Sequence, residues 1–141
     1  MSTILVAIDG SDESNRAFET AADLAAKVKS DLYLVTVIDA ADAAPSYIEG
    51  VTPETTKALD KRAEMTLMGY VERAQQEHGV HAEFGVWHGF PPKAIVEVAK
   101  EKNASMIVIG TRGRGKAKEL LLGSVAHDVA RNSTVPVLIA K

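Results

Sequence analysis

Four short apolar runs, continuous rather than alternating and spaced by helix-length segments, constrain this chain more than any other feature. They are Ile4-Leu5-Val6-Ala7-Ile8, Leu32 to Ile38, Met106-Ile107-Val108-Ile109 and the closing Val135 to Ala140. Continuity means burial on both faces, which is the condition of a strand inside a parallel sheet. Val80 to Trp87 alternates loosely and supplies a further strand, third in chain order.

Helical patterns fill the intervals. Ser11 or Asp12 is placed to cap a helix with Ala17, Ala21, Leu24, Ala25 and Val28 on one face. Residues 39–52 lack periodicity and form a loop long enough to serve as a lid. Thr52-Pro53 starts a helix that runs to about His78, with Leu59, Ala63, Leu67, Tyr70 and Ala74 inward and Gly79 as its stop. Pro91-Pro92 opens a short helix carrying Ile95, Val98 and Ala99, and another spans about Ser124 to Arg131. Strand-helix alternation along the whole chain implies right-handed crossovers. The expectation is one domain over residues 1–141, a doubly wound five-stranded parallel sheet with helices on both faces, Rossmann-like. If strand four returns beside strand one, the order reverses there, and ligands in such sheets bind off the carboxyl ends at that reversal. Those ends are Asp9-Gly10 and Gly110.

Composition narrows the function classes. Net charge is −3 in 141 residues, which argues against nucleic acid as a partner. With no cysteine there is no disulfide, thiol nucleophile or thiolate metal site. No apolar run reaches membrane-spanning length, and Met1 to Ile8 lacks a signal-peptide pattern, so the cytoplasm is the default location. His78, His81, His88 and His127 lack metal-pair spacing. His78 suits a helix C-terminus and His88 a turn.

The most informative segment is Gly110-Thr111-Arg112-Gly113-Arg114-Gly115-Lys116, followed by Leu120-Leu121-Leu122-Gly123-Ser124-Val125. Glycines after a strand allow close approach to an anion. Gly123-Ser124 opens a helix, where unpaired N–H groups and the dipole favour phosphate. Arg112, Arg114, Lys116 and Lys118 add positive charge in an otherwise acidic chain. Gly110-x4-Gly115-Lys116 nearly matches a P-loop, but Ala117 stands where Ser or Thr would hold magnesium. The match is coincidental, and a motor-like or switch-type NTPase is disfavoured. Asp9 ends a central strand and is a ligand contact in competition with a turn role before Gly10. Ser11 and Ser124 have no sequence cue for an activating base.

With these residues in place, the sequence resembles the universal stress protein family over essentially its whole length. The shared features are Ile4 to Ser11, His88-Gly89, Met106 to Gly113 and Val135-Pro136-Val137-Leu138. The most specific is Gly110-x2-Gly113-x9-Gly123-Ser124, similar to the pattern of the ATP-binding branch. Ser105 departs from the acid common before the fourth strand.

The resemblance implies a sheet order 3-2-1-4-5 and a homodimer joined through the last strand, Val135 to Ala140. It implies that Ala7, Ile8 and Asp9 lie near ribose and phosphates, and that Val37 or Ile38 meets adenine through backbone groups. Gly110, Thr111, Arg112, Gly113, Arg114 and Gly115 would line the phosphates, with Gly123, Ser124 and Val125 holding them from the helix side. A magnesium or manganese ion would accompany ATP, with Asp9 or Ser124 within reach of it. The expected role is a nucleotide-dependent regulatory stress protein with no catalytic residue and a protein partner still unnamed. The rivals are a slow ATPase on the same site and a dimeric interaction module with a vestigial pocket.

Overall fold

The computed structural model describes residues 2–39, 53–111 and 122–141. In chain order these form β1 (Thr3–Ala7), α1 (Asp12–Val28), β2 (Asp31–Asp39), α2 (Pro53–His78), β3 (Ala82–Gly89), α3 (Pro91–Glu101), β4 (Met106–Gly110), α4 (Ser124–Asn132) and β5 (Val137–Ala140). The strands make one parallel sheet in the order β3-β2-β1-β4-β5. The expected doubly wound topology is therefore present, with its reversal between β1 and β4.

Alternation along each buried strand sorts the core into two layers. Ile4, Val6, Ile8, Leu32, Leu34 and Val108 face Ala17, Phe18, Ala21, Ala22 and Ala25 of α1 and Leu67 and Ala74 of α2. Leu5, Tyr33, Val35, Ile107 and Ile109 face Ile95, Val98 and Ala99 of α3 and Ala126 and Val129 of α4. A helix face built from alanine lets α1 lie close against the strands, and Phe18 fills the space left beside Tyr70, ring centroids 4.8 Å apart.

Element ends differ from expectation where capping takes over the backbone. Val80 was expected to begin β3, but its N–H reaches back to Ala74 O at 3.0 Å and so still closes α2. Val135 is held in a local turn, its N–H donating to Ser133 Oγ at 3.0 Å, which delays β5 to Val137. Lys29, left-handed at φ 58°, ends α1, and Ser30 N–H returns to Ala25 O. Val28, expected inward, lies past the core and is 55% exposed.

Candidate functional site

The chain leaving β1 makes a compact turn. Ser11 N–H donates to Asp9 Oδ1 at 2.9 Å, and the Ser11 hydroxyl donates to the same oxygen. Ser11 Oγ in turn accepts from Ser14 N–H at 3.1 Å, so Ser11, not Asp12, is the N-cap of α1. Ser14 Oγ donates to Ser11 O, and Asp9 N–H approaches Ser14 Oγ at 3.3 Å. The turn role weighed for Asp9 is thus real. Its carboxylate stands at the carboxyl end of the central strand and organises the turn that starts α1. The contact between Asp9 and Ser11 gives Ser11 the nearby carboxylate for which its sequence showed no cue. The Asp-x-Ser spacing of an Asx turn is the signal that anticipates it.

The β2 edge opens beside this turn. Ile8 N–H donates to Val35 O at 2.8 Å, whereas Leu32 N–H takes His81 O. Odd residues of β2 therefore aim their backbone groups at β1 and even residues at β3. Strand β1 ends at Ala7, while β2 continues to Asp39 alongside β3. Val37 thus carries its N–H and C=O on the side β1 has vacated, and Ile38 turns its own towards β3. Of these two residues, only Val37 turns its backbone groups to that side. Thr36 Oγ1 donates at 2.8 Å to the carbonyl of Ile8, the residue just past the end of β1, a role that sequence reasoning did not assign.

On the other flank, Gly110 is buried at the end of β4. A Cβ there would fall 2.8 Å from Glu13 O and 2.9 Å from Glu13 C. The first turn of α1 rests on that spot, so close helix packing demands glycine. Thr111 follows, and its carbonyl accepts from Gly123 N–H at 2.6 Å. This bond ties together the two ends of the segment 112–121. The Gly123 amide is therefore engaged within the protein. Gly123 is the N-cap of α4 and offers no side chain to it. The first bond of the helix runs from His127 N–H to Gly123 O. The amides of Ser124, Val125 and Ala126 therefore head the helix without intrahelical acceptors, with Ser124 exposed. Arg112, Gly113, Arg114, Gly115, Lys116 and Lys118 lie outside the described residues, as do Thr52 and most of the loop read as a lid.

A polar cluster joins α1 to α2 behind the crevice. Arg73 donates to Glu19 and, at 2.9 Å, to Asn15 Oδ1, and it lies 4.9 Å above the Phe18 ring and 5.0 Å from that of Tyr70. Tyr70 O–H donates to the same Asn15 oxygen at 3.2 Å. Burial raises the Tyr70 pKa above its ordinary value. Arg73 pulls against that shift, and Asp9 and Glu19 add to it. Tyr70 therefore senses the charge of Asp9. His78 Nε2 meets Glu19 Oε1 at 3.0 Å. Glu19, Glu77 and His78 bring ligand-type atoms within 4.8 Å of one another, but Arg73 already supplies the positive charge between the two carboxylates. The cluster is a helix–helix tie. His88, expected in a turn, lies in β3 and pairs with Asp60 of α2 at 2.8 Å.

The fold brings Asp9, the Val37 edge, Gly110, Thr111 and the α4 start to the carboxyl end of the sheet, where its order reverses. That arrangement defines the class: a doubly wound parallel α/β domain with its crevice at the topological switch point. The chain matches the model of the universal stress protein family over residues 1–141, and it belongs to that family. It is 36% identical over 144 residues to universal stress protein YxiE of Bacillus subtilis, covering 98% of this chain and 97% of the relative. Universal stress protein UspA from Lactobacillus plantarum shares the fold at TM-score 0.86 and 21% identity, covering 99% and 97% of the two chains. A universal stress protein solved in complex with cAMP is 30% identical at TM-score 0.73, covering 98% and 94%. One from Archaeoglobus fulgidus in complex with dAMP is 28% identical at TM-score 0.74, covering 100% and 98%. Some members of this family thus bind adenine nucleotides.

Proposed function

We propose that this chain binds an adenine nucleotide, ATP with a magnesium or manganese ion, as a ligand to be sensed rather than as fuel. The observation that carries the reading is convergence. The amides of Ser124 and Val125, which have no intrahelical acceptors, head α4 beside the Gly110-Thr111 end of β4 and the Asp9 turn. An uncapped helix start favours an anion. The Val37 N–H and C=O offer one donor and one acceptor, the pair that an adenine edge requires. The solved relatives with cAMP and dAMP support the same ligand class. The basic residues at 112, 114, 116 and 118 would offset the polyphosphate, and any divalent ion would be held chiefly by phosphate oxygens, with Asp9 or Ser124 adding a ligand.

Binding would change the surface offered to a partner protein. We place the protein in the cytoplasm as a homodimer joined through β5. None of the described helices is long and apolar enough to cross a membrane. The test is equilibrium binding of ATP with magnesium present, where saturable binding is expected. Gly123 has φ −70° and ψ 164°, which valine accepts, so Gly123→Val should keep the fold while its side chain obstructs the α4 start and abolishes binding. Unchanged affinity in that variant would remove the assignment.

A further inference from the structure

The chain contains no cysteine and four methionines, so its oxidisable sulfur is all thioether. Met65 and Met68 lie on the outer side of α2, 63% and 54% exposed. The same helix turns Leu67, Tyr70, Val71 and Ala74 inward, and Met106 of β4 packs half-buried against that core. Positions three apart on a helix are neighbours, so the two exposed sulfurs share one patch.

We propose that Met65 and Met68 form a reversible oxidation site for peroxide-class oxidants. An apolar side chain at these positions gains little from burial, and leucine would serve the helix equally well. What methionine adds on a solvated face is a polarizable, reactive sulfur. In the step itself a thioether lone pair attacks one oxygen of the peroxide. The S–O bond forms as the O–O bond breaks, and water leaves after proton transfer. Sulfur is oxidised by two electrons and the peroxide reduced by two. The sulfoxide is polar, and it would stand among the charged, exposed residues Lys61, Arg62, Glu64 and Glu72. Oxidation therefore changes the character of the face while leaving the inward side of α2 unchanged. Exposure also leaves the product open to sulfoxide reductases, one for each epimer.

The experiment treats the folded protein with graded hydrogen peroxide and follows it by peptide mass mapping and thermal unfolding. Met65 and Met68 should each gain one oxygen several-fold faster than Met106, with the unfolding midpoint unmoved and the mass restored by the two reductases. The double variant Met65→Leu, Met68→Leu should keep that midpoint and lose oxygen uptake from α2. Oxidation of Met106 at an equal rate, unfolding in step with oxidation, or failure of the reductases to restore the mass would overturn the proposal.

Discussion

At Gly110 the missing side chain answers to packing. The α1 backbone at Glu13 occupies the place of a Cβ, so Gly110→Ala forces helix and strand apart. Overpacking of this kind costs about 1–3 kcal/mol. A lower urea midpoint is expected, and an unchanged one would show that α1 retreats freely. Tyr70 offers a second measurement. Its folded pKa lies above the ordinary 10.0, so the folded state holds the phenolic proton longer than the unfolded chain does. That contribution is fully present below the unfolded value and is lost as pH rises through the folded one. Tyr70→Phe should therefore show a shallower loss of stability above about pH 10 than the parent protein, measured by urea unfolding at stepped pH. The inward placement of Tyr70 was legible from helical spacing. Its partners on α1 and its sensitivity to Asp9 were not, because they depend on how two helices cross.

At the scale of elements, the end strand β5 pairs with β4 on one side. Ile107 N–H donates to Pro136 O, so even residues of β5 face β4 and odd residues turn outward. Val137→Pro removes an outward N–H and leaves the ladder to β4 in place. If the dimer forms by pairing of this edge, that variant should sediment as monomer at concentrations where the parent is dimeric. An unaltered sedimentation profile would place the interface elsewhere. Continuous apolar runs announced the strands, and Thr52-Pro53, Gly79 and Pro91-Pro92 marked helix limits. The shifts at Val80 and Val135 arise from hydrogen bonds to Ala74 and Ser133, which compete locally with strand pairing.

For the whole molecule, the question is whether the nucleotide proposed for the crevice is only bound or also hydrolysed. ATP turnover measured on the parent protein and on Asp9→Ala discriminates between them. A sensing protein should show stoichiometric binding with negligible hydrolysis in both. Hydrolysis abolished in Asp9→Ala would establish the enzyme instead, and a dimer without nucleotide affinity would leave an interaction module. The sequence by itself determined the strand and helix types, the doubly wound class and the end of the sheet at which to look. Hydrophobic period and turn chemistry are local and survive in a linear reading. Only the tertiary structure decided that Val37 rather than Ile38 faces the vacated edge, that the Gly123 amide closes onto Thr111, and that Gly110 yields its Cβ space to Glu13. Each of these depends on the register between segments distant in the chain, which is set when the two core layers pack.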